Sequence, residues 1–317
     1  ASQSISDLTG IEDFSALTYL DCRFNQLTSL DVSQNDSLEY LYCSDNQITS
    51  LDVSNNTILG SFHCYNNQLT SLDVSNNTSL WWFACDDNQL TSLNLSQNTD
   101  LRSVYCRNNQ LTSLYLGQNT TFLRILYCGG NQLTSLDVTN NTALEYLYCS
   151  DNPITSLDVS QNDTLLFLYC GGNQLTSLDV TNNTFLKKLS CTNNQLTSLD
   201  VSQNSFLEEL FCFNNQITSL DVSQNTILTR LGCWDNQLTS LDVSQNFVLE
   251  ELSCRNNQIT SLDVSQNTAL EQLYVNNNQL TSLDVRNGNN INFLAWFNDV
   301  LELSSAYVPG VLDSLTV

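Results

Sequence analysis

The sequence predicts an all-β-rich solenoid, a superhelix of about 14 coils of 21 residues with two short parallel strands per coil and little helix. Three observations carry this expectation. Twelve Cys recur from Cys22 to Cys254, each 21 residues after the last except for one step of 22 between Cys106 and Cys128. An Asn follows three residues behind each Cys, in a column that runs from Asn25 and Asn46 to Asn257 and on to Asn278. A second Asn column, from Asn35 to Asn267, keeps the same period.

One unit, Leu38 to Ile58, shows how a coil is built. It holds the pattern L-x-x-L-x-C-x-x-N (Leu38, Leu41, Cys43, Asn46) and then I-x-x-L-x-V-x-x-N (Ile48, Leu51, Val53, Asn56). Alternation around L-x-C and L-x-V reads as two short strands, each turning two side chains inward and the intervening ones outward. A fixed period stacks strand on strand, giving two parallel sheets on opposite sides of a flattened coil. The Asn after each strand supplies amide donors and acceptors where the chain bends, so both columns are expected to be structural ladders. The N-x-[ST] matches at Asn55 and Asn140 are by-products of the repeat.

These residues resemble a known family. L-x-x-L-x-[LC]-x-x-N is the consensus segment of leucine-rich repeats, and its double use within 21 residues resembles the nested bacterial class called IRREKO. The opening segment, with Ile5, Leu8, Ile11, Phe14, Leu17 and Leu20, is similar to the N-terminal caps of internalins. Val in the second half and Cys in the first depart from the Leu of the consensus. The resemblance implies a bacterial binding module, secreted or on the cell surface. A start at Ala1 without any Met would fit a mature product after signal cleavage.

One domain is expected over 1–317, with an N-terminal cap over 1–21, repeats over 22–286 and a C-terminal cap over 287–317. The last coils decay: Val275 and then Trp296 take the Cys slot, Asp299 takes the Asn slot, and Gly288 ends the second Asn column. A closing segment of this kind is what a solenoid needs to shield its open core.

Composition bounds the partners. Hydrophobic residues make up 41% of the chain, enough for a core, and the net charge of −24 repels nucleic acid and anionic membrane. No apolar run approaches the roughly 20 residues that span a bilayer, so membrane insertion is not expected. The regular spacing of the Cys predicts reduced, buried thiols stacked in a column, and neither zinc nor any other cofactor is expected.

Outward positions divide the two predicted sheets. Second-half strands are nearly constant, Ser-Leu-Asp-Val-Ser, and line up Asp31, Asp52, Asp73, Asp137, Asp158, Asp179, Asp200, Asp221, Asp242, Asp263 and Asp284. Neighbouring carboxylates at roughly 4.8 Å repel by about 0.9 kcal/mol even in water, so hydrogen bonds from Ser29, Ser33 and their equivalents, partial protonation, or cations such as calcium must relieve the strip. Asn94 and Tyr115 interrupt it, and the extra residue near Thr120 and Thr121 predicts a bulge that exposes Tyr115.

First-half strands change at every coil, and recognition has to be written where a repeat is free to differ. The early coils hold Tyr19, Tyr40, Tyr42, His63, Tyr65 and Trp82, of which single rings such as Tyr19 are expected to be inert. Tyr105, Tyr127, Tyr148 and Tyr169 form an unbroken column, flanked by Ile125, Tyr146 and Phe167 on one side and by Gly129, Ser150 and Gly171 on the other. These predict a floor of rings beside a shallow trough. Phe211, Phe213 and Trp234 follow, bracketed by Lys188, Glu209, Arg230, Glu251 and Arg255. Exposed aromatics at this density predict a binding face for a protein on a surface. The alternatives are a glycan stacked on the Tyr column and a passive spacer; an ice-binding array is disfavoured because the constant strip is Asp and not Thr.

Catalysis is not expected. His63 is the sole His and has no Ser or Cys motif beside it, and Gly129-Gly130 and Gly171-Gly172 lie in turns and not before a phosphate-binding helix. Paired carboxylates can be found anywhere in an Asp ladder, so they point to no glycosidase.

Overall fold

The computed structural model describes residues 4–117 and 122–287, and the backbone of 292–293. They form parallel β-solenoid coils with a single helical turn, the 3-10 segment Ile11–Asp13. About 12 turns are completed, against the 14 coils expected. The C-terminal cap expected over 287–317 lies outside the described residues apart from Asn287 and the backbone of 292–293, and the bulge expected near Thr120 and Thr121 lies outside them too.

Two compact units divide the chain, Ala1–Thr164 and Leu165–Val317. In the first, the strands Tyr19–Asp21, Tyr40–Tyr42, Ser61–His63, Trp82–Ala84, Ser103–Tyr105, Ile125–Tyr127 and Tyr146–Tyr148 pair in parallel, each with its neighbour in the next coil. In the second, Phe167–Tyr169, Lys188–Ser190, Glu209–Phe211, Arg230–Gly232, Glu251–Ser253, Gln272–Tyr274 and Asn292–Phe293 do the same. Register is fixed by the period, so Leu41 faces Phe62 and Leu189 faces Leu210 across the ladder.

Each coil buries its Leu, Cys and Val side chains. Leu41, Cys43, Ile48 and Val53 are wholly inaccessible, as are Leu210, Cys212 and Val222. Two successive coils place Phe in the central strand position, and the rings of Phe62 and Phe83 lie 5.6 Å apart in the core. All twelve Cys are buried. Burial pushes the Cys22, Cys149, Cys212 and Cys254 thiols up to about 12, so the column stays protonated, as the spacing predicts.

Asn ladders tie coil to coil. Asn46 donates from Nδ2 to the carbonyls of Cys22 and Cys43, both at 3.0 Å, and accepts from the Leu27 amide at 3.0 Å. In the second column, Asn56 Nδ2 reaches Val32 O at 3.1 Å and Asn35 O at 2.8 Å. The residue before each first-column Asn adopts left-handed backbone, as at Asp45 (φ 58°), Asn66 (φ 53°) and Gly130 (φ 66°). Asp, Asn and Gly tolerate that region, which explains their recurrence in this slot. Phe24 is an exception at φ 57°, and its ring is exposed.

The second-half strands depart from expectation. Only Ser92–Asn94 with Ser113–Tyr115, and Ser261–Asp263 with Ser282–Asp284, form paired strands among the described residues. In paired and unpaired coils alike the Asp, or Asn94 in its place, closes a local turn in which its Oδ1 accepts the amide two residues on, as Asp31 does from Ser33 at 2.9 Å and Asp263 from Ser265 at 2.8 Å. Both exceptions fall where the repulsion along the strip is removed. Asn94 and Tyr115 are uncharged, and Asp284 is neutralised by the Arg286 guanidinium. Local hydrogen bonding by Ser and Thr accordingly relieves the carboxylates. Asp31, Asp52, Asp73, Asp137, Asp179, Asp200 and Asp221 are all held below the usual Asp range by bonds from the residue two places on. Among the described residues there is no group of three His, Cys, Asp or Glu that could hold a metal ion.

The N-terminal segment docks by backbone and not by its apolar residues alone. Asn35 Nδ2 caps the carbonyls of Ile11 and Phe14 at 2.9 Å each, and Gln26 N donates to Ile5 O at 2.8 Å. Leu20 is buried, whereas Phe14, expected to help close the first coil, is 61% exposed. No described helix is long and apolar enough to cross a membrane.

Candidate functional site

Strand geometry turns the residues before and after each central Leu outward, so the variable first-half positions form one face in each unit. In the first unit the predicted Tyr105, Tyr127 and Tyr148 do lie side by side. Ring centroids are 5.2 Å apart for Tyr105 and Tyr127, at 80°, and 5.6 Å for Tyr127 and Tyr148, at 50°. Ile125 and Tyr146 flank them, half-buried. Tyr169 and Phe167 are half-buried on the Phe167–Tyr169 strand of the second unit.

The predicted trough is filled. A methyl group at Gly129 would lie 3.0 Å from the Tyr148 ring, so that ring lies down over the glycine. Small residues therefore let neighbouring rings tilt, and the rings meet edge to face, which suits their quadrupoles.

The aromatic surface of the first unit is larger than predicted. Tyr19 is not an isolated ring: it meets Tyr40 at 6.0 Å and Tyr42 at 5.5 Å. Tyr42 stacks on His63 at 4.5 Å, His63 meets Trp82 at 5.6 Å, and Trp82 stacks on Tyr105 at 6.1 Å. Arg23 lies over Tyr42 and Arg107 over Tyr127, at 5.1 and 5.4 Å. The signal was in the sequence as a spacing of 21, since rings one period apart are cross-strand neighbours.

His63 also finds a serine that its sequence neighbourhood did not advertise. Ser61 Oγ is 3.4 Å from Nε2, and the Tyr42 hydroxyl donates to the same Oγ at 3.3 Å. Ser61 is 1% exposed. Burial, then the nearby Arg23 charge, lower the His63 pKa.

In the second unit Phe213 and Trp234 stack at 3.7 Å and 9°, and Arg255 covers Trp234 at 5.1 Å. Gly232 makes room for them: a methyl group there would meet Trp234 at 2.6 Å and Phe211 at 2.8 Å. Beside this stack the charged residues satisfy one another. Lys188 Nζ binds Glu209 at 2.9 Å, and Arg230 lies 3.7 Å from Glu209 and 3.9 Å from Glu251.

Sequence reasoning missed one surface. At the corner before each first-half strand, Phe185, Phe206, Ile227, Phe247 and Val248 are 41–53% exposed, and Phe185 stacks on Phe206 at 6.0 Å. The same corner carries exposed Ile58 and Phe122 in the first unit and Ser, Asp, Ala or Thr in the remaining coils, and its pattern is hard to read from the sequence because it lies outside the strand.

Residues 15–56, 121–162 and 248–295 match the family described as leucine-rich repeats in two copies. The functional domain of InlJ from Listeria monocytogenes, described as including a cysteine ladder, is 41% identical over 94% of this chain and 67% of its own, with a TM-score of 0.90. The chain belongs to the internalin-like leucine-rich repeat proteins. This internalin-like chain shares its fold, at 23% identity and a TM-score of 0.77, with an internalin, InlF, of Listeria monocytogenes, over 86% of this chain and 88% of that one. It also shares its fold with the Leptospira interrogans leucine-rich repeat protein LIC12759, at 24% identity and a TM-score of 0.68, over 91% of each. No curated protein matches the sequence.

Proposed function

We propose that this internalin-like protein is a non-catalytic binding and adhesion module, secreted by or displayed on a bacterium, that docks a protein ligand on the outward face of its first-half strands. One observation carries the reading. The framework residues repeat unchanged from coil to coil, whereas the outward positions hold packed aromatics and Arg, the residue types that dominate protein interfaces. In the second unit the anchor is the Phe213–Trp234–Arg255 stack with Phe211; in the first it is the run through Tyr105, Tyr127 and Tyr148 with Ile125 and Tyr146. Tyr169 and Phe167 belong to the same class of outward position.

A protein partner is favoured over a glycan by ring geometry. Stacking on a row of sugars needs a flat platform of open ring faces, and Tyr105 and Tyr127 meet at 80°.

The test is a binding screen of cell-surface proteins and glycans with the full chain and two variants, Tyr105→Ser/Tyr127→Ser/Tyr148→Ser and Trp234→Ala. Truncating a buried-edge Trp anchor is expected to cost about 2 kcal/mol, roughly 30-fold in Kd. Undiminished protein binding by both folded variants would place recognition elsewhere.

A further inference from the structure

We propose that a hollow at Gly60, in the first unit, receives one arginine side chain of a peptide or protein partner, held between the Glu39 carboxylate and the Trp81 and Tyr40 rings. The hollow is lined by Glu39, Tyr40, Ile58, Gly60, Ser79 and Trp81. It lies apart from the residues assigned above to ligand docking and stands on its own observations.

The position just after the first Leu of each coil reads Glu39, Gly60, Trp81, Arg102, Arg124 and Glu145 through the first unit. Backbone bonds hold these successive residues in line: Gly60 N donates to Glu39 O at 2.9 Å, Trp81 N to Gly60 O at 2.8 Å, and Arg102 N to Trp81 O at 2.9 Å. With no side chain at Gly60, two coil spacings of roughly 4.8 Å separate Glu39 from Trp81. The indole uses that space. A methyl group at Gly60 would sit 2.7 Å from Trp81 Nε1, so the ring lies across the glycine with its N–H edge in the hollow.

Charge is what makes the hollow a receptor for a cation. In this same column Glu145 is paired with Arg124, its neighbour one coil back. Glu39 has Gly60 as its neighbour one coil on, and it has no ion pair among the described residues. Its counter-charge has been replaced by a gap bounded by two aromatic rings and the exposed Ile58. A guanidinium suits such a place better than an ammonium, because it stacks flat on a ring while its edge donates to a carboxylate. The protein builds this arrangement for itself elsewhere, with Arg23 bound to Asp21 and lying over Tyr42, and Arg107 bound to Asp86 and lying over Tyr127. A net charge of −24 further concentrates basic ligands at the surface.

The experiment follows the Trp81 indole N–H resonance of the full chain, assigned with Trp81→Phe, during titration with acetyl-Gly-Arg-Gly-amide. The citrulline peptide, a neutral isostere, and methyl galactoside serve as comparison probes. A saturable shift with the arginine peptide alone is expected, weakened about fivefold in Glu39→Gln. It should be lost in Gly60→Arg, which supplies the guanidinium from within. Glu39 is exposed, so Glu39→Gln tests the idea even if Gly60→Arg fails to fold. Equal shifts from arginine and citrulline, a stronger response to the sugar, no response to any probe, or an unchanged affinity in Glu39→Gln would each overturn it.

Discussion

Replacing Asn88 by Ala tests how the ladder holds one coil to the next. The Asn88 amide donates to Cys64 O at 3.0 Å and, within its own coil, to Cys85 O and Asp86 O at 3.2 Å each, while its Oδ1 accepts from the Leu69 amide at 3.0 Å. The residue is 7% exposed, so water cannot substitute freely. The inter-coil bond to Cys64 O is worth about 1 kcal/mol, and leaving the Leu69 N–H without its acceptor costs about 1–3 kcal/mol. A loss of roughly 3 kcal/mol is expected in urea unfolding. Native-state hydrogen exchange should show the Leu69 amide losing protection first, ahead of amides in distant coils. A change below about 1 kcal/mol, with Leu69 protection intact, would refute the claim that the amide ties the coils together.

Three further outcomes follow from the same structure. Asp31, Asp52, Asp73, Asp137, Asp179, Asp200 and Asp221 titrate below the unfolded value of 3.8 because of their Ser and Thr donors, and Asp284 sits at about 2 beside Arg286. Depressed folded pKa values mean stability that is fully present above the unfolded pKa and lost as pH falls through the folded ones. The Tm should therefore hold above about pH 5, fall between about pH 4 and 2, and ignore a calcium chelator. A Tm that rose on acidification would mean that repulsion along the strip outweighs its hydrogen bonds. The Cys column should resist a thiol reagent at pH 8 in the native protein and react in full once unfolded; rapid native labelling of Cys64 or Cys128 would contradict its burial. Arg107→Ala should destabilise by about 1–2 kcal/mol at pH 7, since it strands the Asp86 carboxylate, whose pKa burial already raises. That deficit should shrink as the pH falls and Asp86 protonates, and a pH-independent deficit in urea melts would assign the effect to lost packing of Arg107.

Much of this architecture is readable from spacing because each coil touches mainly its neighbours. Cys43, Asn46 and Asn56 recur every 21 residues, so their local surroundings recur too, and burial, strand register and ladder bonding follow from one unit. The site was legible only in part. That Tyr105, Tyr127 and Tyr148 share a face follows from alternation, as does the outward place of Phe213 and Trp234. The tilt of those rings, the closing of the expected trough and the membership of Tyr19 do not, because a ring's direction depends on the size of the residue one coil away. Gly129, Gly232 and Gly60 each read as an absence in sequence, yet in space each decides where a Tyr or a Trp lies.

The second sheet shows the same division from the side of charge. Its Ser-Leu-Asp-Val-Ser text reads as a strand in every coil, but strand pairing occurs among the described residues only where Asn94 and Tyr115 remove the charge or Arg286 neutralises Asp284. By itself the sequence determined the coil, its buried column and its Asn ladders, since these rest on contacts that repeat identically. Only the tertiary structure decided which outward side chains lean together, which carboxylates find a donor and which, like Glu39, are left facing a hollow. Those outcomes depend on unlike neighbours in adjacent coils, and no single repeat contains them.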